Sequence, residues 1–537
     1  MMYRLTVLLS ALIPFLCSAQ IVLDSSPVGI IAFETFGQEI PNDIKINVGL
    51  TIWWQPGGVP NETTDEPHYS GYAGLEFRGS SSLLYNKSGY GFETREIGGA
   101  NRNASLFGMP EENDWVLHGP YSDKTLMRNA LAYRLARDMG ESSGHYAPRT
   151  RFCELLINGE YQGIYLLAEK IKVDDGRISE EGLNEDLGGS IQILKVDKLN
   201  SPGTQWWEGN YPPLGGDIRI PSYQVHHPKD LNELEFWGMV GWTRSVDDRL
   251  WEIPFGEGAA QAASDFLDIA SFIDFFLINE AARNIDGYRL SAHFYRVRQG
   301  IGLTETMVMG PAWDFNLGWG NADYYDGWRT EGWHLHQRVD DNFQIPFWWG
   351  KLMSDPAFVE AVDQRWTELR QDVFSTERIH GLLDAWVDSL GLSIERNFDQ
   401  WPVIGEYIWP NPFVGDSYED ELDRMRVWIE DRFEWMDQSI PDLRPDLPGD
   451  GSGLDWLVNP MKNGQLEVFL NLAKPTAMEF QLYDLSGRKL QVLLSGPLHE
   501  GRHYRRFNLQ SLPAGLYVLG IQIESEVSSS KIFLPGF

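Results

Sequence analysis

Apolar positions recurring every third or fourth residue predict helices over 123–139, 263–283, 358–373, 376–397 and 418–438. In the first of these, Leu126, Ala130, Leu131, Leu135 and Met139 share a face, Ser122 or Asp123 offers an N-cap, and Gly140 offers a stop. Alternating or short apolar runs predict strands over 45–54, 72–78, 90–93, 149–157, 161–169, 190–196, 288–298 and 306–310. Asn158-Gly159 joins two of them, the pair favoured in a tight primed hairpin turn. Residues 200–257 are rich in Trp, Pro and Gly without a clean period, so irregular structure is expected there.

The pattern changes near the C-terminus. Residues 441–453 (PDLRPDLPGDGSG) have no core pattern and read as a linker. Beyond them, strands are expected over 466–470, 477–484, 489–494, 501–508 and 515–524, at the short spacing of an all-β sandwich. Residues 20–440 thus form an α+β unit and 454–537 a small β-sandwich.

At the other end, Arg4, the apolar run 5–16 and Cys17-Ser18-Ala19 read as a secretory signal over 1–19, with cleavage after Ala19. Lipid attachment at Cys17 is disfavoured by Phe15 and Leu16 just before it. No transmembrane segment is expected in the mature chain, which is read as secreted or surface-attached. Removal of the signal leaves Cys153 alone in an apolar strand, where it reads as a small buried hydrophobe and precludes an internal disulfide.

Composition narrows the partners. Of 537 residues, 77 are acidic and 44 basic, giving a formal net charge of −33 that repels a phosphate backbone and argues against nucleic acid. A hydrophobic content of 42% is ample for globular packing.

Two acids carry the candidate chemistry. Asp286, in Asn284-Ile285-Asp286-Gly287, follows a long apolar helix; Asp314, in Trp313-Asp314-Phe315-Asn316, ends a short apolar strand. Protein kinases keep a hydroxyl-orienting acid and a magnesium-binding acid in such places. On this reading Asp286 orients the acceptor, while Asp314 and Asn316 supply oxygens to a metal. Each acid alone is also compatible with a turn or a cap.

Upstream, Arg78-Gly79-Ser80 is a small-residue loop able to offer amides to phosphates, Lys87 is the candidate phosphate cation, and Glu169 lies near a nucleotide or pairs with Lys170 or Arg128. Trp313, Trp319, Tyr324, Tyr325, Trp328, Trp333 and His336 either stack on a sugar or nucleotide or pack a core. Asp314, Asp323 and Asp326 equally permit a calcium site.

Taken in order, Arg78-Gly79-Ser80 with Lys87, Asp114-Trp115-Val116-Leu117, Asp123 through Asn129, the run 158–171 (NGEYQGIYLLAEKI), Gly188-Gly189, Asn284-Ile285-Asp286-Gly287 and Trp313-Asp314-Phe315 resemble the spore coat protein H (CotH) kinase family over roughly 26–440. The resemblance implies an atypical, two-lobed, protein-kinase-like fold. It implies transfer of phosphate from ATP to Ser or Thr of an exported protein with Mg2+ or Mn2+, Asp286 as the catalytic-loop acid and Asp314 as the metal acid. The family commonly has a second acid after Trp-Asp-Phe/Tyr, where this chain has Asn316.

Val458-Asn459-Pro460, Tyr483 through Arg488 (YDLSGR) and Leu512 through Val518 (LPAGLYV) resemble the type IX secretion sorting domain of Bacteroidota exoproteins. That resemblance implies export through the periplasm and engagement of the type IX machinery. The alternative function is a non-catalytic surface module that binds polysaccharide or protein through its Trp-rich face on a reused kinase scaffold.

Overall fold

The computed structural model describes residues 21–441, 443 and 454–534, apart from 43, 185, 187, 200–202, 214–218, 230, 303, 338–340, 461–463, 473, 500, 524 and 525. The expected signal segment 1–19 and most of the expected linker lie outside the described residues.

Seven strands close into a barrel. They are β2 (Gly29–Glu34), β3 (Ile46–Trp53), β5 (Tyr69–Arg78), β6 (Gly89–Arg95), β7 (Asp114–His118), β8 (Thr150–Ile157) and β9 (Glu160–Glu169), ordered β2-β3-β5-β6-β7-β9-β8. Parallel pairing of β2 with β8 seals the cylinder, which leaves no open edge. Alternate residues of these strands, among them Ile31, Val48, Leu75, Phe92, Trp115 and Leu167, fill its interior. Cys153 is buried in the same core, and burial pushes its thiol well above the usual range. A two-residue pair, β1 (Ser25–Ser26) with β4 (Asn61–Glu62), lies beside the barrel.

Helix α1 (Arg128–Ser143) interrupts the barrel strands and starts later than the sequence suggests. Leu126 takes a left-handed φ of 67°, so the helix cannot begin before it. Asp123 instead accepts from the Arg128 amide at 2.9 Å and pairs with its guanidinium at 2.6 Å. The helix runs through Gly140 and ends at Gly144, whose left-handed φ of 78° favours glycine.

A five-stranded sheet follows, ordered β11-β12-β10-β13-β14: β10 (Ser190–Val196), β11 (Trp206–Glu208), β12 (Ser222–His227), β13 (Ala292–Arg298) and β14 (Glu305–Met309). Its helices are α2 (Glu233–Glu252), α3 (Ala259–Ala263), α4 (Ile269–Ala282), α5 (Trp348–Met353), α6 (Pro356–Arg370), α7 (Thr376–Leu390), α8 (Leu392–Gln400) and α9 (Tyr418–Ser439). One large core joins the sheet's apolar face to these helices and α1.

Three expectations change here. Residues 200–257 contain two strands and the 20-residue helix α2, opened by an Asn232/Glu235 capping box. The helix expected over 263–283 begins only at Ile269, because Asp268 caps its start by accepting from the Ser271 amide. The helix expected over 376–397 breaks at Gly391 into α7 and α8.

The C-terminal region is all β, with a three-stranded sheet β15-β16-β19 and a four-stranded sheet β18-β17-β20-β21. The strands are β15 (Leu454–Pro460), β16 (Gln465–Leu472), β17 (Thr476–Tyr483), β18 (Lys489–Leu498), β19 (Gly501–Asn508), β20 (Gly515–Ile523) and β21 (Glu526–Leu534). Side chains from both sheets, such as Leu466, Val468, Phe480 and Leu519, share one core. The architecture is α+β with a separate all-β tail.

Candidate functional site

Helix α4 ends at Arg283, whose left-handed φ of 43° turns the chain out of the helix. The Arg283 guanidinium donates to the carbonyls of Asp326 and Glu331 at 2.9 Å each, which fixes that turn. Asn284 then holds the next loop from within: its carbonyl accepts from the Gly287 amide at 2.9 Å, and its side-chain amide donates to Asn279 Oδ1 and to the Asp314 carbonyl. Gly287 is required, since a Cβ there would stand 2.6 Å from Asn279 Oδ1. The Asp286 carboxylate emerges from this frame half-buried, 3.7 Å from the Arg289 guanidinium. Arg289 is committed elsewhere, to Asp341 at 2.7 Å and to the face of Tyr325.

Strand β14 delivers the second acid. The Asp314 amide donates to the Tyr133 hydroxyl at 3.0 Å and the Phe315 amide to Asn129 Oδ1 at 2.6 Å, so α1 carries the loop. Asp314 itself sits at φ 64°, an unfavourable angle for a non-glycine residue that these anchors sustain. Trp313 stacks on Tyr133, and Arg78, from the end of barrel strand β5, lies over its ring at 5.2 Å.

Electrostatics link the two loops. Burial, followed by the charges of Asp286 and Asp197, pushes the Asp314 carboxyl up to about 6, against the pull of Arg78 and Lys198. Burial likewise raises Asp286, with Arg289 and Lys198 opposing and Asp197 and Asp341 reinforcing. Asp197 is a participant that sequence reading missed. It follows β10, is buried, and pairs with Lys195 at 2.6 Å. The only sequence signal was a charged Lys-Val-Asp at the end of an otherwise apolar strand.

Asp286, Asp314 and Arg78 therefore act on common ground, and Arg78 brings Gly79 and Ser80 with it. Gly79 has φ 133°, and a Cβ there would meet Ser82 Oγ at 2.0 Å. Asn316 is partly buried, its carbonyl accepting from Asn321 Nδ2 at 2.9 Å.

The other two candidates are engaged elsewhere. Lys87 is buried, donates to Asn397 Oδ1 of α8 at 2.7 Å and lies over Tyr165; burial pushes its ammonium down to about 7. Glu169 accepts from the Tyr146 hydroxyl, the Arg149 amide and the Arg149 guanidinium, the last at 3.0 Å. The partners expected for it are taken: Lys170 pairs with Asp114 at 3.0 Å and Arg128 with Asp123.

The aromatic cluster divides. Trp319 is buried, whereas Trp328 faces solvent and Tyr324 stacks on the exposed Trp409. Asp323 accepts from Tyr407 at 2.7 Å. Among the described residues, no three His, Cys, Asp or Glu side chains are gathered as a metal-binding group, for calcium or any other ion. The donors around Asp314 are nevertheless oxygens, the type that Mg2+ and Mn2+ take, and their mutual repulsion is the kind a bound dication relieves.

A family model described as CotH kinase protein matches residues 75–436. The chain belongs to the CotH kinase family. The match spans the barrel from β5 onward and both acid loops, so the two aspartates lie within the family region of this CotH protein. A second model, for a secretion system C-terminal sorting domain, matches residues 459–534, the all-β tail. The tail supports export to the cell surface or medium through type IX machinery. Among the described residues, no helix is long and apolar enough to cross a membrane. Comparison with curated proteins gives no match.

Proposed function

We propose that this CotH protein is an exported, two-lobed protein kinase that transfers the γ-phosphoryl group of ATP to a Ser or Thr hydroxyl of another exported protein. The observation that carries the reading is the link between Asp286 and Asp314, two acids on separate loops tied by Asn284, with the charge of Asp286 raising the proton affinity of Asp314.

In this reading Asp314, aided by the Asn316 amide oxygen, holds Mg2+ or Mn2+. The dication, when bound, supplies charge neutralisation on the phosphate oxygens. Asp286 orients the acceptor hydroxyl and accepts its proton as the hydroxyl oxygen bonds to the γ-phosphorus and the bond to the bridging oxygen of departing ADP breaks. Its raised proton affinity suits that task. Arg78 and the Gly79-Ser80 amides face the phosphates. Glu169 acts at a distance by holding Arg149.

The segment 1–19 directs the chain to the periplasm and is removed after Ala19. The kinase unit 20–440 then crosses the outer membrane of a Bacteroidota cell guided by 454–537, across the linker 441–453. Because ATP is scarce outside cells, phosphorylation precedes release or uses supplied nucleotide.

A second reading has its own support. Tyr407 and Trp409 are 56% and 48% exposed, and Trp409 stacks on Tyr324, a surface suited to sugar rings on a non-catalytic scaffold. Incubation of the mature protein with ATP, Mn2+ and exported proteins, with phosphosite mapping, separates the two. The kinase reading expects new phosphoserine or phosphothreonine. No new phosphate, together with glycan binding that survives Asp286→Asn and Asp314→Ala, establishes the binding module instead.

A further inference from the structure

A cavity of about 330 Å3 lies where the end of β10, the start of β12 and residues 342–343 meet, lined by Asp197, Lys198, Ser222, Arg289, Asn342 and Phe343. Ligand cavities span roughly 300 to 1,000 Å3, so this one suits a small occupant such as a short piece of peptide.

Arg289 joins the cavity to the Asp286 loop. Its Nη1 donates to Asp341 Oδ2 at 2.7 Å and to the Phe343 carbonyl at 3.4 Å, while Asp341 Oδ1 accepts from the Phe343 amide at 2.8 Å. Guanidinium and cavity wall are thereby fixed together. Its Nη2 stands 3.7 Å from Asp286 Oδ1, so the cavity begins one guanidinium away from the acid that orients the acceptor hydroxyl.

Among the described lining residues, two cations, Lys198 and Arg289, stand against one acid, on a chain of net charge −33. That acid, Asp197, is turned to its own strand: one carboxylate oxygen accepts from Lys195 at 2.6 Å and the other from the Lys198 amide at 2.9 Å. The charge of Lys198 also reaches Asp286 and Asp314. Ser222 and Asn342 add neutral hydrogen-bonding groups to the same walls.

We infer that this cavity is the acceptor subsite and takes an anionic side chain of the exported substrate, held by Lys198 within about three residues of the Ser or Thr that Asp286 orients, an extended chain advancing roughly 3.3–3.6 Å per residue. The inference rests on the kinase reading. The anion is the carboxylate of Asp or Glu, or the phosphate of a residue phosphorylated earlier; both accept charge-assisted hydrogen bonds from an ammonium. Cations gathered at one place on so acidic a molecule make anion capture specific to that place. Lys198 takes no part in phosphoryl transfer; it selects the sequence presented to Asp286.

The test is steady-state phosphorylation, by the mature chain with ATP and saturating Mn2+, of synthetic peptides with one acceptor Ser and Glu, phosphoserine, Ala or Lys within three residues of it. The Glu or phosphoserine peptide is expected to have a KM roughly tenfold below that of the Ala peptide, the low end for a charged hydrogen bond. Lys198→Met is expected to erase this preference and Lys198→Glu to invert it in favour of the Lys peptide, with the KM for ATP unchanged in both. A gain confined to phosphoserine identifies earlier phosphorylation as the source of the anion, and an equal gain with Glu identifies acidic residues; either supports the subsite. Equal KM values across the peptides, or an acid preference that survives Lys198→Glu, overturns the inference and leaves the kinase reading standing. A raised KM for ATP in Lys198→Glu with the order of peptides unchanged assigns Lys198 to the nucleotide and overturns it likewise. Failure of the unsubstituted chain to phosphorylate any peptide or exported protein overturns the kinase reading and the inference with it.

Discussion

Asp314 bears the larger share of the site's electrostatic strain, since it is half-buried beside two like charges and only partly compensated by Arg78 and Lys198. Two positions along stands Asn316, whose side-chain amide oxygen is neutral. Ligand charge is a main determinant of dication affinity. Asn316→Asp is therefore expected to tighten Mn2+ binding, by about tenfold on that principle, as read by titration of the free-Mn2+ EPR signal. Unchanged or weaker binding would show that residue 316 does not reach the metal. Asp286 and Asp314 were legible in the sequence because each ends an apolar element with a short polar signature. Asp197 was not, because a polar residue at a strand end is ordinary and its relation to Asp314 depends on strand order. Lys87 was assigned to the phosphates from its closeness in sequence to Gly79, whereas its direction depends on α8, 310 residues further on.

At the scale of elements, α1 and α4 carry the two acid loops, and His145 fastens them to each other. It follows the end of α1 and contacts Asp268, the N-cap of α4, at 3.1 Å and Asp274 within α4 at 3.9 Å. Burial opposes protonation of His145, but the two carboxylates outweigh it and raise the imidazolium to about 9. A folded-state value above the unfolded one stabilises fully below the unfolded pKa of about 6.5 and loses that contribution as pH rises toward 9. The loss is on the order of 3 kcal/mol at most, from 1.36 kcal/mol per unit. Denaturant unfolding from pH 6 to 9 is expected to show this decline, and His145→Gln to flatten it; an identical slope in the variant would refute the fastening. Most strands and helices were readable from period and turn residues, as at Asn158-Gly159. Helix α2 was not: Gly238, Gly241 and its tryptophans obscure a buried series, Met239, Trp242, Val246 and Leu250, that the Asn232/Glu235 capping box could have exposed. The break between α3 and α4 was hidden because Ala262, Ala263, Phe266 and Leu267 keep an apolar spacing across it, although Ser264, Asp265 and Asp268 interrupt the run.

For the whole molecule, barrel, sheet-and-helix unit and all-β tail have separate cores, in keeping with one region for chemistry and another for export. Closure of the barrel was beyond sequence reading, because the β2–β8 pairing joins strands about 120 residues apart in parallel. Removal of residues 454–537 is expected to retain the protein in the cell, and fusion of that segment to a reporter bearing a signal peptide to export it, as followed by immunoblotting of cell and medium fractions. Release of the truncated chain, or retention of the fused reporter, would contradict the sorting role. The central claim is that Asp286 and Asp314 form one phosphoryl-transfer site, and the most direct test is single-turnover transfer of labelled γ-phosphate from ATP with Mn2+. The unsubstituted chain is expected to incorporate label, Asp286→Asn to do so roughly a hundredfold to ten-thousandfold more slowly with ATP binding retained, and Asp314→Ala to lose metal-dependent ATP binding. Incorporation that persists undiminished in both variants would contradict that claim.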